Sequence, residues 1–417
     1  MVYITNKRKI INDPVYGFIN IPGDFIFDII EHPWFQRLRH IKQLGLTSFV
    51  YPGANHSRFQ HGLGSMHLMD LAIATLRNKD VEISENEREA ALIAILLHDA
   101  GHGPFSHALE SSIISGISHE DISLLLMKKL NEAFGGRLDL AIDIFLGTYP
   151  RQFLHELVAG QTDMDRLDYL RRDSFFTGVI EGSVGSDRII RMLNVIDDCL
   201  VIDEKGIYSL EKFMIAQRLM YWQVYMHKTV LSSESLLVKV LKRAKELATK
   251  GLDLYSTPAL RFFLYNKIGP DDLFKEGNFT PGLIAANFTR LDDNDILVSA
   301  KYWADHEDKV LADLSGRLMR RDLLAIELQN DPFPADRVRN LKIRAAELMD
   351  IDQQLADYFV FTNSISNLAY TPDAPEVKIL LKSGRTADIS SVSDMFDHRF
   401  LSERITKYFL CYPKECK

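Results

Sequence analysis

The chain has 417 residues, of which 46% are hydrophobic and 25% charged, and a formal net charge of -8. That length is more than one core usually fills, so a large domain with a smaller appendage is expected, and the negative balance argues against stable, sequence-independent coating of nucleic acid while leaving room for a local basic pocket for phosphates. No stretch reaches the roughly 18 consecutive apolar residues of a membrane span, the start MVYITNKRKI lacks an apolar h-region with a cleavage site, and Cys199, Cys411 and Cys416 form neither a disulfide framework nor a metal spacing, which together point to a cytoplasmic protein with no membrane association.

Along the chain, helix signals dominate. The first is predicted over 62 to 77. Ser84-x-x-Glu87 reads as a capping box, and REAALIAILLHD after it is apolar nearly all round, as in a helix that passes through a core. Gly101, Gly103 and Pro104 then break it. Ser118-His119-Glu120-Asp121 is a second start signal, ahead of ISLLLMKKL, and further helices are predicted over 155 to 173, 211 to 249 and 336 to 358. Near the end the texture changes: ADYFVFTNSI and EVKILLKSGRTADI read as strands, the second as a hairpin turning at Ser383-Gly384. The expected fold is mainly α, with a helical domain over 1–324 and a small mixed α+β subdomain over 325–417. No internal repeat or low-complexity segment is apparent.

Seven of the thirteen histidines (His56, His61, His67, His98, His102, His107 and His119) lie between residues 56 and 119, where an even spread would place about two. Clustering alone is weak, because a histidine is as often a satisfied core or surface group as a ligand. In LLHDAGHGPFSH, however, His98 and Asp99 stand where an apolar helix stops. Imidazole and carboxylate suit a first-row divalent ion, and such a cation offsets the cost of burying polar groups at that helix end. In TDMDRLDYLRRD, Asp165, Tyr169 and Arg172 share one helical face and read as a metal ligand flanked by phosphate-binding groups; the bland alternative is an exposed helix laced with Asp/Arg pairs.

The order His61, His98-Asp99, Asp165 resembles the H...HD...D pattern of the HD-domain metal-dependent phosphohydrolases. The likeness is greatest to the deoxynucleoside triphosphate triphosphohydrolases, a branch that includes the mammalian enzyme joining a sterile-alpha-motif domain to an HD domain. It is carried by INDPVYGFI, FQRLRHIKQLG, PGANHSRFQHGLG, LLHDAGHGPFSH, SHED, DMDRLDYLRRD and YMHK, all within residues 11–228. No motif is recognised beyond about residue 250, and a sterile-alpha-motif domain is not expected here.

The resemblance implies an all-helical HD core in which His61, His98, Asp99 and Asp165 hold one divalent metal ion, for which Mn, Fe, Mg, Ni, Co and Zn are all candidates. It places His102 and His119 as catalytic groups near the scissile phosphate. Glu110 stands where that branch often carries Asp, as a group orienting one of them. Arg58, His107, Arg166 and Tyr169 match phosphate contacts, Arg166 in place of a lysine, and Gln43 and Tyr225 match residues around the sugar. Lys9, Asn12, Gln36 and Arg39 match part of a region that binds an activating nucleotide, with Glu31 replacing an aspartate; solvated charge and an internal ion pair are the bland readings of Lys9 and Arg39.

The implied reaction is hydrolysis of a deoxynucleoside triphosphate to deoxynucleoside and tripolyphosphate, by a homo-oligomer (dimer or tetramer) with nucleotide activation. An HD-type phosphodiesterase or alarmone hydrolase is the second reading. A nucleotide-binding regulator without catalysis is the third.

Overall fold

The structure is a computed structural model that describes residues 9–105, 107–110, 112–114, 116–275, 277–367, 377–395 and 405–417; the side chains of His107, Glu110 and Asn367 lie outside that description. The chain is mainly helical, and three helices carry the centre. Arg58–Arg77 packs against both Glu85–Leu97 and Met164–Thr177. The Glu85–Leu97 helix is buried continuously from Ala90 to Leu97, which accounts for the absence of a polar face in its sequence. It starts as expected: Ser84 Oγ accepts from Glu87 N at 3.2 Å, and Ser84 N donates to Glu87 Oε2 at 2.8 Å. Ser118 and Asp121 make the same reciprocal cap on His119–Ala133.

Two predicted helices are each divided. Over 155 to 173, a first helix Gln152–Ala159 stops at Gly160, and a second begins after Asp163, whose carboxylate accepts from Arg166 N at 2.7 Å. Over 211 to 249, the helix Ile207–Met220 widens into a π-helical turn, Tyr221–Tyr225. A new helix, Lys228–Thr249, then starts under a His227 cap. The predicted helix over 336 to 358 is Ala335–Met349 followed by a 3-10 turn, Gln353–Tyr358.

Strands complete the fold. β1 (Ile10–Asp13) and β2 (Gly17–Asn20) form an antiparallel hairpin. A second hairpin, β3 (Leu193–Ile196) and β4 (Cys199–Asp203), is extended by β7 (Lys378–Leu380), parallel to β4, and then β8 (Thr386–Asp388). The β7–β8 turn has Gly384 at φ 81°, the left-handed region that favours glycine. The third sheet has β9 (Ile405–Tyr412) between β5 (Ala325–Gln329) and β6 (Phe361–Asn367). The hairpins at 10–20 and 193–203 are additions to the expected pattern: their four- and five-residue strands are too short to show a period of two. Among the described residues no helix is long and apolar enough to cross a membrane.

Candidate active site

His61 lies in the first turn of Arg58–Arg77, His98 and Asp99 follow the last turn of Glu85–Leu97, and Asp165 opens Met164–Thr177. Packing of these helices brings the four side chains together. Ligand atoms of His61, His98 and Asp99 lie within 4.8 Å of one another, and Asp165 Oδ1 is 3.0 Å from His61 Nε2 and 3.5 Å from His98 Nε2. The turn after His98 is fixed by the next helix: Ser123 Oγ donates to His98 O at 2.7 Å and accepts from Gly101 N at 2.9 Å. A Cβ on Gly101 would lie 2.1 Å from His119 O, so only glycine fits that approach.

The donor set fits a divalent cation. His61 Nδ1 faces Asp168 Oδ2 at 2.7 Å and His98 Nδ1 faces Ile95 O at 2.6 Å, contacts in which each Nδ1 donates, so that in the neutral imidazole the lone pair sits on Nε2. Among the described residues, those two buried Nε2 atoms make no directed hydrogen bond. Burial alone would push both imidazoles down. Asp165 and Asp168 outweigh it and hold His61 at about 10, while Asp99 and Asp165 hold His98 at about 9. The cluster therefore draws positive charge to the point its nitrogens share, where a metal ion would sit between two imidazoles and two carboxylates.

His102 and His119 flank this cluster. Their rings stack at 3.8 Å, and His102 Nε2 is 3.2 Å from Asp99 Oδ1. Asp99, His102 and His119 form a second convergent set of metal-type ligands. Burial and the Arg58 guanidinium push His102 down to about 3. Arg58 Nη1 contacts Asp99 Oδ2 at 2.5 Å, so this arginine joins the metal cluster to the cavity beside it.

That cavity, about 490 Å³, is lined by Gln43, Arg58, Asp165, Arg166, Tyr169 and Tyr225, all singled out in the sequence. Among the described residues, none hydrogen-bonds the buried Oε1 of Gln43. Arg166 Nε is 3.3 Å from Asp163 Oδ2. Tyr225 donates to Asp173 Oδ2 at 2.7 Å, and His56, stacked on Phe176, meets Asp173 Oδ1 at 2.7 Å. His107 and Glu110 begin and end a short helical turn, with side chains outside the described set.

One assignment needs correcting. Arg172 is fully buried and turned away from the cavity, with Nε and Nη2 on Asp168 at 2.9 and 3.0 Å and Nη1 on Asp13 Oδ2 at 2.7 Å. It is unavailable to phosphate. Helical spacing alone could not show this, because its partner Asp13 is 159 residues away.

Several functional side chains escaped the sequence reading. Asp168 is the third acid of DMDRLDYLRRD, and its i+3 spacing from Asp165 was the one available signal. Arg37 donates to the carbonyls of Ala100 and His102 at 2.9 and 2.8 Å and to those of Phe288 and Leu291 at 3.3 and 3.0 Å. Asp293 accepts from Lys42 N at 3.0 Å and Phe105 N at 3.2 Å, fixing two segments at the cavity wall.

The candidate activating-nucleotide residues lie elsewhere. Lys9 sits 3.7 Å over the Phe27 ring, Gln36 donates to Ile30 O at 2.8 Å, and Arg39 donates to Gln36 Oε1 at 2.7 Å while covering the Phe59 ring at 3.6 Å. The internal partners of Arg39 are thus an amide and a ring. Asn12 and Glu31 are exposed.

Residues 58–170 match the HD domain family and 184–256 the HD associated region. An uncharacterized protein of Bacillus subtilis is 31% identical over 98% of this chain and 93% of its own length. The chain belongs to the HD-domain phosphohydrolase family. A solved phosphohydrolase from Bacteroides thetaiotaomicron is 51% identical to this HD phosphohydrolase, with a TM-score of 0.93 over 98% of this chain and 100% of the other. A Dictyostelium discoideum protein named as a deoxynucleoside triphosphate triphosphohydrolase SAMHD1 homolog is 36% identical over 58% of this HD phosphohydrolase and 50% of its own length. The HD phosphohydrolase described here thus spans about half of that named relative.

Proposed function

We propose that this HD phosphohydrolase hydrolyses deoxynucleoside triphosphates to deoxynucleoside and tripolyphosphate. The observation that carries the reading is the single cavity in which Arg58, Arg166 and Tyr169 stand beside Asp165, with Gln43 and Tyr225 along the same wall. Two guanidinium groups and a phenol suit a polyphosphate, and a lone amide oxygen with an aromatic ring suits a sugar.

A divalent ion held by His61, His98, Asp99 and Asp165 would supply Lewis-acid polarisation of a phosphate oxygen and acidify a water molecule. Arg58 and Arg166 hold the triphosphate, and the contact of Arg58 with Asp99 keeps its guanidinium at the metal edge of the cavity. A water oxygen joins the α-phosphorus, the bond from phosphorus to the 5′-oxygen breaks, and that oxygen takes a proton. The stacked pair His102 and His119, beside Asp99, supplies the imidazole that donates it. Activation by a nucleotide at Lys9, Asn12, Glu31, Gln36 and Arg39, in a homo-oligomer, belongs to the same reading; the exposure of Asn12 and Glu31 supports it.

The test is a product assay: the four deoxynucleoside triphosphates, singly and mixed, with manganese or magnesium, the products separated by chromatography. Nucleoside and tripolyphosphate are expected, with turnover only in the mixture if an activating nucleotide is needed. Nucleoside monophosphate with pyrophosphate, or undiminished turnover by a folded Asp99→Ala variant, would sink the reading.

A further inference from the structure

We propose that Asp13, on the N-terminal β-hairpin, is a positioning residue for the metal centre, acting through Arg172 and Asp168 on the imidazole of His61. This rests on the reading of the histidine–aspartate cluster as a metal site. Asp13 and Arg172 lie outside the segment that matches the HD domain family, residues 58–170.

The connection is continuous and dry. Asp13 Oδ2 accepts from Arg172 Nη1 at 2.7 Å, Arg172 grips both oxygens of Asp168, and Asp168 Oδ2 meets His61 Nδ1 at 2.7 Å. Asp13 is 6% exposed, and Arg172, Asp168 and His61 are each 0% exposed, so no water competes along the path. The path needs room that only glycine leaves: a Cβ on Gly64 would lie 2.0 Å from Asp168 Oδ1 and 2.3 Å from Arg172 Nη2. At the far end, Asp13 Oδ1 accepts from Val15 N at 2.9 Å and Tyr16 N at 3.0 Å, which ties the carboxylate to the hairpin turn.

The charges explain the direction of the effect. Two carboxylates share one guanidinium, so Asp13 balances Arg172 and leaves the negative charge of Asp168 to support His61. Without the Asp13 charge, Arg172 bears on Asp168 alone. His61 then faces a weaker acceptor, is held less firmly, and donates less electron density from Nε2.

Asp13→Asn is the informative variant, because its amide oxygen still caps the turn while the charge facing Arg172 is gone. The full-length protein is stripped with EDTA and titrated with Mn²⁺ alone by calorimetry, beside the parent and Asp99→Ala, and the unfolding midpoint of each metal-free protein is recorded. The expected result is one Mn²⁺ per parent chain, loss of that site in Asp99→Ala, and at least about tenfold weaker binding by Asp13→Asn. Parental affinity in Asp13→Asn, with or without a lowered unfolding midpoint, overturns the proposal while the Asp99→Ala result leaves the metal site standing. A parent that binds no Mn²⁺ removes the metal reading and the proposal with it. Asp13→Ser, which also caps the turn without charge, is carried alongside in case Asp13→Asn fails to fold. It is expected to weaken binding likewise, and parental affinity there counts equally against the proposal.

Discussion

The guanidinium of Arg37 holds the main-chain carbonyl of His102 at 2.8 Å, and the same group reaches Ala100, Phe288 and Leu291. One side chain thus ties the loop after the His-Asp pair to a segment about 190 residues later. Arg37→Leu would leave four carbonyls without that donor in a buried setting. A loss of about 3 kcal/mol is expected, read as a lower denaturant midpoint, and an unchanged midpoint would show that the clamp is dispensable.

Stability should respond to pH through two carboxyl groups of opposite sign. Burial pushes Glu87 up, but Ser84, Arg151 and Tyr149 outweigh that and hold it at about 2 against an ordinary 4.5. Its folded pKa is the lower one, so its contribution is present above about pH 4.5 and disappears as pH falls toward 2. Burial pushes Asp293 up to about 6 from 3.8, against the N–H groups of Lys42 and Phe105. Its contribution is present below 3.8 and is lost as pH rises through 6. Urea midpoints measured against pH should lose part of their acid-side slope in Glu87→Gln. In Asp293→Asn they should lose an opposing slope between about pH 4 and 6.

These residues also show how far the sequence could be read. The convergence of His61, His98, Asp99 and Asp165, the capping boxes at Ser84 and Ser118 and the cavity lining from Gln43 to Tyr225 were legible because each rests on short spacing or on a family motif. Arg37, Asp293 and Asp13 were not, because their roles depend on partners far along the chain. Arg172 shows the danger in between: its spacing from Asp165 is helical, yet rotation toward Asp168 and Asp13 takes it into the core. The break at Gly160 was signalled by that glycine and by the Asp163 cap three residues later, which a continuous helix over 155 to 173 passed over, whereas Tyr221–Tyr225 contains no glycine or proline to mark its widened turn.

Gly64→Ala should be among the most damaging single-methyl changes in the chain, since the added carbon would overlap Asp168 and Arg172. Both are buried and paired, and neither can swing aside without leaving a charge unmatched. The expected outcome is insoluble protein or a Tm lower by several degrees. A variant that melts with the parent would mean that this helix contact is looser than described.

Metal removal should be visible without any substrate. A ligand that binds the folded chain alone stabilises it by about 2.7 kcal/mol at a hundred times its Kd. EDTA is therefore expected to lower the Tm of the parent and to leave that of Asp99→Ala nearly unmoved. Equal shifts in both proteins would place the bound metal elsewhere.

Tyr225→Phe removes the hydroxyl that donates to Asp173 and keeps the ring. The loss of one partly buried internal hydrogen bond, about 1 kcal/mol, should appear as a lower urea midpoint, with kcat and KM little changed. A large fall in kcat would assign the hydroxyl to the reaction itself.

The wide turn at Tyr221–Tyr225 makes the cavity's aromatic wall a matter of chain length. Tyr221 donates to Ser366 O at 2.8 Å, Tyr51 donates to Gln223 O at 2.7 Å, and Tyr225 reaches Asp173, so three distant segments are keyed to one irregular coil. Removing a single residue there would restore ordinary helical winding and take away the extra residue that lets Tyr221, Gln223 and Tyr225 reach their three partners together. Relatives that keep this wall should therefore tolerate exchanges of side chain within the five residues far better than a change in their number.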